Sequence, residues 1–390
     1  MKILLGVPEY PPYHIGGGGE VFKNLAENYK KLGHDVVVVY GYYPTKSWFE
    51  EIKEYTSENG IKFYQIPEIP YFKSMPFLKT VMPCNFKTLK LLKNIIKREK
   101  PDVAHLHGYG LFMPAQISKI CNRLKIRYIL TLHGAPVSPK KMKNFLISIV
   151  YSFYNFFYGS NLLKNAQSIT AVSHYTTTFR EFNKYKNKIS IINNGIDTKS
   201  YLDASKFIKL EKRNDGEIVF LSLGRIEWLK GFQYFIDIIP ILLKNNIKLK
   251  YLIGGTDQGF KFELEKKIKD YDIPKKVIFL DQLDFKQKIE AILNSDYVII
   301  SSLVENYPAV PIETIILGKI PIGNNIGGIP EIIKDQQNGF LVDVLDKDKF
   351  SEKVLSIIRV DSKQIKFNNG DKYRYEWENI VQQYLKVLNI

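Results

Sequence analysis

Two basic side chains in the second half of the chain have the types and spacing to bind a phosphorylated ligand. Arg225 and Lys230 lie five residues apart in the string LGRIEWLKG, directly after a predicted strand. A guanidinium binds phosphate through two parallel hydrogen bonds and an ammonium adds a compact charge, so the pair suits a pyrophosphate. Two ordinary surface bases are the alternative.

Two glutamates follow a later strand in the string ENYPAVPIE, where seven residues separate Glu305 from Glu313. Eight helical steps span about 12 Å, which exceeds the ~5 to 9.5 Å between the paired carboxylates of a glycosidase. The prolines in this string favour a loop that enters a helix. The spacing therefore favours two contacts on one extended ligand, with solvated surface acids as the alternative.

A run of four glycines, residues 16–19, lies between the first predicted strand and the first predicted helix. Backbone amides at a helix N-terminus favour an anion, and Gly17 and Gly18 allow a ligand to approach closely. The run does not complete a dinucleotide fingerprint, because Val21 stands where its third glycine would be and no acid ends the second strand. A nicotinamide or flavin enzyme is therefore disfavoured, and a flexible turn is the alternative.

All six histidines precede residue 175, and His133 ends a predicted strand in the string TLHGAP. A polar side chain at the carboxyl end of a parallel strand lies where such sheets bind ligands, so we expect a substrate contact rather than a core histidine. No His-x-x-x-His pair and no acid at metal-binding spacing accompany the histidines. The sequence predicts no metal site.

Short apolar runs alternate with helical segments through both halves of the chain, which predicts an α/β fold of doubly wound parallel sheets. The predicted strands are residues 3–7, 36–40, 103–106, 128–132, 169–172, 218–223, 249–253, 277–280, 297–301, 320–322 and 340–342. A polar, lysine-rich stretch at 197–216 interrupts the alternation. We therefore predict domains at 1–200 and 201–372, followed by a C-terminal helical segment at 373–390.

Length and composition agree with two globular domains. The chain has 390 residues, 45% of them hydrophobic, and two cysteines, which excludes a disulfide scaffold and fits a reducing compartment. The N-terminal string MKILLGVPEY reaches Glu9 and a proline cluster too early for a secretory signal, and no stretch has the length and apolarity of a confident membrane span. We expect a cytoplasmic protein.

The positive charge is concentrated in the first half of the chain. Residues 1–200 contain 28 Lys and Arg against 13 Asp and Glu, whereas residues 201–390 contain 28 against 27. Residues 86–100 carry lysines on one helical face and apolar side chains on another, and residues 144–163 hold seven aromatics and no charge. These features predict peripheral contact of the first domain with an anionic membrane, with an ordinary surface helix and a core helix as the alternatives.

Eight motifs in this order resemble the retaining nucleotide-sugar glycosyltransferases of family four, which have the GT-B fold. The matching strings are PPYHIGGGGE, TLHG, AVSHYT, NNGID, GRIEWLKG, the Glu305–Glu313 pair, GGIPEII and NGFLV. The resemblance implies two Rossmann-like domains facing a deep cleft. It also implies that the second domain binds the nucleotide and the first binds the acceptor.

The resemblance also implies roles for individual residues. Arg225 and Lys230 bind the donor diphosphate, and Glu313 binds the ribose hydroxyls. Glu305 binds the transferred sugar, and His133 contacts the sugar near its anomeric carbon. Gly17 and Gly18 approach the phosphates and the acceptor from the first domain, and the backbone from Asn306 to Val310 completes the sugar pocket.

The resulting prediction is a retaining, metal-independent hexosyltransferase without a permanently bound cofactor. Its donor is a UDP or GDP sugar of the glucose or mannose type, and its acceptor is a glycan or a lipid-linked sugar at the inner face of the cell membrane. Nucleic acid is not an expected partner. Where the family often has Gly-Phe-Gly, this chain has Asn306-Tyr307-Pro308, so the sugar itself stays open. A sugar-nucleotide epimerase of the same fold and a non-catalytic protein that binds nucleic acid or another anionic surface are the alternatives.

Overall fold

The computed structural model describes residues 1–12, 17–42, 53–67, 86–134, 152–210, 216–359 and 374–389. The chain divides into two compact units. The first consists of Met1–Gly195 together with Trp377–Ile390, and the second of Ile196–Glu376. No helix among the described residues is long and apolar enough to cross a membrane.

The first unit is built on a sheet to which the described residues contribute eight strands, in the order β3-β4-β2-β1-β5-β6-β7-β8. Neighbouring strands are parallel except for β3, which runs antiparallel to β4. The strands are β1 Lys2–Val7, β2 Asp35–Tyr42, β3 Lys53–Thr56, β4 Lys62–Pro67, β5 Val103–His107, β6 Arg127–Leu132, β7 Ser168–Ala171 and β8 Ile189–Ile191.

The helices of the first unit cover both faces of its sheet. They are α1 Gly18–Lys31, α2 Phe86–Glu99, α3 Phe112–Leu124 and α4 Ser160–Asn165, with a π-helix at Asn155–Gly159 and 3-10 helices at Tyr175–Thr178 and Arg180–Lys188. Alternate residues of β2 enter two different cores, because Val37 and Val39 pack with α2 and α3 whereas Val36 and Val38 pack with α1. Burial on both faces explains why this strand is a continuous apolar run.

The second unit contains, among its described residues, a six-stranded parallel sheet in the order β11-β10-β9-β12-β13-β14. Its strands are β9 Ile218–Leu223, β10 Leu249–Gly254, β11 Val277–Asp281, β12 Tyr297–Ile300, β13 Ile320–Asn324 and β14 Phe340–Val342. Its helices are α5 Thr198–Ser205, α6 Phe232–Lys244, α7 Lys261–Asp270, α8 Phe285–Leu293, α9 Ala309–Ile316, α10 Ile329–Ile332 and α11 Lys347–Arg359, with a 3-10 helix at Trp228–Lys230. Every strand of this sheet was predicted.

The C-terminal helix α12, Trp377–Leu388, packs on the first unit. Trp377 and Tyr384 join the core that contains Phe22 and Tyr29 of α1. Gly195 lies against the indole of Trp377, and a Cβ at this position would be 2.7 Å from a ring carbon. The glycine of the NNGID string therefore leaves room for the returning helix.

The predicted fold class is confirmed, since both units are parallel sheets wound with helices. The unit boundary lies at Gly195, and helix α5 spans residue 200, where the sequence placed the boundary. Strands β3, β4 and β8 were not predicted. Strand β3 is exposed along its whole length, so it carries no apolar pattern from which it could be recognised.

Candidate functional site

Strand order fixes one candidate site in each unit. Successive strands lead away from β1 in one direction and then resume beside it at β5, and the same reversal occurs between β9 and β12. The carboxyl ends of parallel strands at such a reversal diverge and leave a crevice for ligands. Every predicted site residue follows a strand at or beside one of these two points.

The loops that follow β9 and β12 are fastened to each other. The backbone N–H of Leu303 donates to the carbonyl oxygen of Leu229 at 2.8 Å, and the Ser301 hydroxyl donates to the carbonyl oxygen of Lys230 at 3.1 Å. Gly231 has φ of +70°, and a Cβ there would clash with the Ser301 carbonyl oxygen. The glycine of LGRIEWLKG therefore permits the close approach of the two loops.

The fastened loops bring Lys230 to Glu305. The Lys230 ammonium lies 2.5 Å from Oε1 of Glu305, and the hydroxyl of Ser302 donates to the same oxygen at 2.8 Å. Both charged side chains are largely buried, with 22% and 14% of their surfaces exposed. Glu305 is thus held in one orientation by two donors and is not a freely solvated surface acid.

Two consecutive glycines support the loop that carries Glu305 and Asn306. The N–H of Gly328 donates to the carbonyl oxygen of Glu305 at 2.9 Å. A Cβ at Gly327 would clash with the carbonyl oxygen of Glu305, and one at Gly328 would clash with that of Asn306. The string GGIPEII therefore contributes backbone contact rather than side-chain chemistry.

Glu313 is buried in α9 and has two distinct carboxylate oxygens. Its Oε1 accepts from the Tyr201 hydroxyl at 2.7 Å and from the Lys288 ammonium at 2.8 Å. Lys288 also donates to the Tyr201 hydroxyl at 2.6 Å, so the three side chains form a closed network. The other oxygen, Oε2, is buried and has no hydrogen-bond partner among the described residues.

A second unpartnered acceptor lies on the same segment between β12 and α9. The amide oxygen Oδ1 of Asn306 is buried and makes no hydrogen bond within the described part of the chain. Buried acceptors in native proteins nearly always have a donor, and an orphaned one calls for an explanation. Glu313 Oε2 and Asn306 Oδ1 have the character of sites for ligand hydroxyl groups.

The remaining predicted residues of this site lie at its rim. Arg225 follows β9 and Gly224, and its guanidinium forms an ion pair of 2.9 Å with Glu227 while 40% of its side chain stays exposed. Val310 is in the first turn of α9, where backbone N–H groups have no intrahelical partner. Three cations of this unit pair with carboxylates of the chain: Arg225 with Glu227, Lys230 with Glu305 and Lys288 with Glu313.

The reversal point in the first unit contains the glycines and three histidines. Gly17 is the N-cap of α1, and no atom would obstruct a Cβ at this position. A Cβ at Gly18 would lie 2.9 Å from Oε1 of Glu9, so Gly18 makes room for that carboxylate. Of the predicted glycine run, Gly16 lies outside the described residues.

His133 is held by a neighbouring histidine. Its Nε2 lies 2.9 Å from Nδ1 of His107, and its ring meets Phe22 edge-on. Burial lowers the pKa of His133 to about 4. Burial, together with the neighbouring imidazoles, keeps the pKa of His107 well below its usual value. His133 is therefore a neutral hydrogen-bonding group at neutral pH.

A buried polar chain continues from these histidines into the sheet. His105 contacts the Tyr29 hydroxyl at 3.0 Å and the Thr131 hydroxyl at 2.7 Å, and Thr131 contacts Thr170 at 2.7 Å. Burial lowers the pKa of His105 to about 3. These hydrogen bonds orient the ring of His105, which contacts His107, and His107 in turn stacks on His133.

Sequence reasoning missed four residues that position the predicted ones: Tyr201, Lys288, Ser302 and His107. Lys288 follows a capping box formed by Asp284 and Gln287, which the string DFKQ signals, but its approach to Glu313 depends on tertiary packing. His107 ends strand β5 and reaches His133 through the pairing of β5 with β6. Among the described residues, no group of three His, Cys, Asp or Glu side chains is arranged to hold a metal ion.

Comparison with known proteins identifies the family. A family profile described as "Glycosyl transferases group 1" matches residues 203–373, and one described as "Glycosyltransferase Family 4" matches residues 15–200. The two matches together cover most of the chain. The chain belongs to the glycosyltransferases that these two profiles describe.

This glycosyltransferase is similar to curated proteins over nearly its whole length. An uncharacterised glycosyltransferase of Methanocaldococcus jannaschii is 26% identical and aligns over 100% of this chain and 98% of its own length. The GPI3 subunit of phosphatidylinositol N-acetylglucosaminyltransferase from Saccharomyces cerevisiae is 21% identical, with 97% of this chain and 80% of that protein aligned.

Solved structures share the fold. HepE of Anabaena, determined in complex with UDP, superposes with a TM-score of 0.72 at 16% identity and covers 100% of both chains. The predicted GT-B fold of this glycosyltransferase, with its two parallel-sheet α/β domains, is confirmed.

Proposed function

We propose that this glycosyltransferase moves a hexose of the glucose or mannose type from a UDP or GDP sugar to a hydroxyl of a glycan or lipid-linked acceptor, with retention of the anomeric configuration. One observation carries the proposal. Glu313 Oε2 and Asn306 Oδ1 are buried acceptors that have no partner among the described residues, on the segment that also presents Glu305, and Lys230 and Arg225 lie on the adjoining loop. A sugar nucleotide offers hydroxyl donors beside a diphosphate.

The proposed roles follow from the chemistry of these groups. Glu313 accepts from the ribose hydroxyls through Oε2, while Tyr201 and Lys288 hold Oε1. Glu305 and Asn306 accept from hydroxyls of the transferred sugar. A sugar hydroxyl that binds Glu305 competes with Lys230 for the same carboxylate. The Lys230 ammonium then turns toward the diphosphate.

The transfer step needs stabilisation of the leaving group. The acceptor oxygen forms a bond to the anomeric carbon on the face from which the diphosphate departs, and the bond between that carbon and the diphosphate oxygen breaks. The departing oxygen takes the acceptor proton. Arg225 and Lys230 stabilise the negative charge that develops on the diphosphate, a task that a divalent cation performs in other enzymes.

The first unit supplies the acceptor side in this proposal. His133, neutral because its pKa is about 4, contacts the sugar near its anomeric carbon as a hydrogen-bonding group, and Gly17 and Gly18 approach the phosphates and the acceptor. The proposal assigns the acceptor to the domain predicted at 1–200 and the donor nucleotide to the domain predicted at 201–372, which the helical segment 373–390 follows. It also places the enzyme in the cytoplasm, bound peripherally to the inner face of the cell membrane, which the excess of basic residues in the first half supports.

The yeast relative supports a lipid acceptor, because its name describes transfer to phosphatidylinositol. HepE supports the donor class, because its structure contains UDP. No feature of the two described sites specifically favours either alternative, a sugar-nucleotide epimerase or a non-catalytic binding protein.

Turnover of a panel of UDP and GDP sugars with a lipid extract as acceptor source tests the proposal. We expect release of one nucleoside diphosphate and an α-linked product from an α-linked donor, read from the anomeric proton signal. Lys230→Met should lower kcat by roughly 10²- to 10³-fold. Lys275→Met, an exposed lysine of the same unit, should not. Inversion of configuration, or turnover unaffected by Lys230→Met, would overturn the mechanism.

A further inference from the structure

Three phenylalanines of the first unit form an exposed apolar surface. Phe153, Phe156 and Phe157 have 55%, 76% and 46% of their surfaces exposed. Their rings touch one another, with centroids 4.4 Å apart for Phe153 and Phe157 and 4.9 Å for Phe156 and Phe157. We call these three residues the phenylalanine patch. A contiguous apolar surface of this kind marks an interaction site.

The segment beneath the patch is firmly anchored, so the exposure does not come from a loosely packed helix. Tyr154 is fully buried, and its hydroxyl accepts from the N–H of Gly110 at 3.1 Å. Asn155 accepts from the Tyr109 hydroxyl at 2.6 Å, and Gly159 lies against that same hydroxyl. One side of the π-helix thus faces protein and the other presents phenylalanine.

Other aromatic side chains of this segment pack into the core of the first unit. Tyr154 and Tyr158 pack against Phe112 of α3, and the ammonium of Lys119 lies 3.8 Å from the Tyr158 ring centroid. The patch residues contribute nothing to this cluster. Their exposure therefore has a cause other than the stability of the unit.

Two elements near the segment that carries the patch are basic. Helices α2 and α3 pack side by side, and α3 in turn contacts α4 and the π-helix. Lys90, Lys93 and Lys97 are exposed along α2. The 3-10 helix Arg180–Lys188 contacts α4 through a hydrogen bond of 3.2 Å from Lys188 to the carbonyl oxygen of Lys164.

Acidic groups are nearly absent from this face. Within α2, α3, residues 152–165 and Arg180–Lys188, Glu99 and Glu181 are the only acids. Glu99 is buried and paired with Lys2 and Lys62, so it does not offset the exposed lysines. An exposed apolar patch near two basic helices has the composition of a surface that enters the headgroup region of an anionic bilayer.

We infer that the phenylalanine patch inserts into an anionic lipid bilayer, and that α2 and the 3-10 helix Arg180–Lys188 bind its headgroups. The inference deepens the proposed function and rests on it for the purpose of the contact, since a lipid-linked acceptor must be reached at a bilayer. Charge disfavours a second copy of the chain as the occupant, because two equally basic surfaces repel each other.

Flotation of the full-length protein with vesicles tests this assignment. Vesicles with about 30% anionic lipid should bind the protein at low salt, neutral vesicles should bind it far less, and about 0.5 M salt should weaken the anionic binding. Phe156→Ser should lower the partition coefficient roughly tenfold. The matched control is Phe262→Ser, which removes a phenylalanine that is 73% exposed in the second unit and should leave binding unchanged.

Insertion is separated from surface adsorption by a second variant. Phe156→Trp should give a blue-shifted emission on anionic vesicles and quenching by brominated acyl chains, while its melting temperature shows that the unit is folded. Equal partitioning of wild type and Phe156→Ser, or a tryptophan that brominated chains do not quench, would overturn insertion. Dimeric wild type and monomeric Phe156→Ser in sedimentation would assign the patch to a second copy.

The same samples distinguish this inference from the proposed transferase. Nucleoside diphosphate release from a sugar nucleotide without vesicles reports the active site alone, and Phe156→Ser should retain it. Vesicle binding without any turnover would support membrane insertion by the phenylalanine patch and contradict the proposed transferase function. Turnover with a lipid-linked acceptor in detergent, together with no vesicle binding, would do the reverse.

Discussion

Glu313 illustrates how one residue can serve both the fold and a ligand. Tyr201 and Lys288 saturate Oε1, which fixes the carboxylate plane, and Oε2 is left buried without a donor among the described residues. A buried acceptor that gains a hydroxyl donor on binding contributes a charge-assisted hydrogen bond, worth about 1.5 to 3 kcal/mol.

Glu313→Gln should therefore weaken nucleotide binding about 10- to 100-fold without changing the nucleotide preference. The amide keeps the shape of the carboxylate but loses its charge and replaces one acceptor by a donor. Equilibrium dialysis with labelled nucleoside diphosphate measures the change. Glu265→Gln, at an exposed position of α7, is the control. Equal affinities of wild type and Glu313→Gln would show that Oε2 does not face the ribose.

The histidine stack predicts a loss of stability in mild acid. Burial lowers the pKa of His105 to about 3 and that of His133 to about 4, and holds that of His107 well below its usual value. The unfolded chain takes up protons near pH 6.5, whereas the folded chain does not until far lower pH. The stability from these groups is complete above pH 6.5 and falls as the pH approaches 4.

Each of these histidines should lower the free energy of unfolding by up to about 1.4 kcal/mol per pH unit below pH 6.5. Urea unfolding at pH 7 and at pH 5.5 measures the slope. His105→Gln should reduce the slope, whatever it does to stability at pH 7, and His174→Gln at an exposed position should not. Identical slopes in wild type and His105→Gln would contradict the burial of an uncharged imidazole.

At the scale of elements, glycines determine how closely segments approach. Gly231 and Gly328 allow backbone to meet backbone at the candidate donor site, and Gly195 allows α12 to pack on the first unit. A Cβ at Gly195 would lie within 2.7 to 3.0 Å of three ring atoms of Trp377. Because the indole is packed in a core with α1, it cannot move aside freely.

Gly195→Ala should destabilise the protein by about 1 to 3 kcal/mol, the usual cost of overpacking a core. Thermal unfolding of the variant measures this, and the double variant Gly195→Ala with Trp377→Phe tests the cause, since the smaller ring should restore part of the loss. The control is Gly17→Ala, where a Cβ meets nothing within 4 Å. Equal destabilisation by both glycine variants would contradict the packing account.

The strength of the apolar pattern decided which elements could be predicted from the sequence. Strands buried on both faces, such as β2 and β12, are continuous apolar runs and were recognised. Strand β3 is exposed and β8 has no fully buried residue, so neither gives such a signal. Residues 144–151 of the uncharged segment lie outside the described residues, and within its described part Asn155 and Gly159 contact Tyr109.

The candidate site was predictable to the extent that its residues follow strand ends. Arg225, Lys230, Glu305 and Glu313 stand in recognisable strings, and the structure gathers them at one reversal point. Tyr201 and Lys288 are remote in sequence from Glu313 and reach it only through the packing of α5 and α8 against each other. Partners of this kind carry no local signal in one sequence.

At the scale of the whole molecule, the distribution of positive charge predicts whether the transfer reaction needs a divalent cation. Arg225 and Lys230 supply positive charge on the loop after β9, where the proposal places the donor diphosphate. Chelation with EDTA should therefore leave nucleoside diphosphate release unchanged, and added Mg²⁺ should not raise it several-fold. Loss of turnover on chelation that Mg²⁺ restores would contradict metal independence.

A calorimetric titration of UDP and of GDP into the wild-type protein and into Lys230→Met tests whether the second unit binds a nucleotide sugar through this loop. We expect one of the two nucleotides to bind the wild type, and Lys230→Met to bind it at least roughly tenfold more weakly because the diphosphate loses a charged partner. Lys275→Met should bind like the wild type. Binding of neither nucleotide, or equal binding by wild type and Lys230→Met, would contradict the placement of a nucleotide-sugar site at the carboxyl ends of β9 and β12.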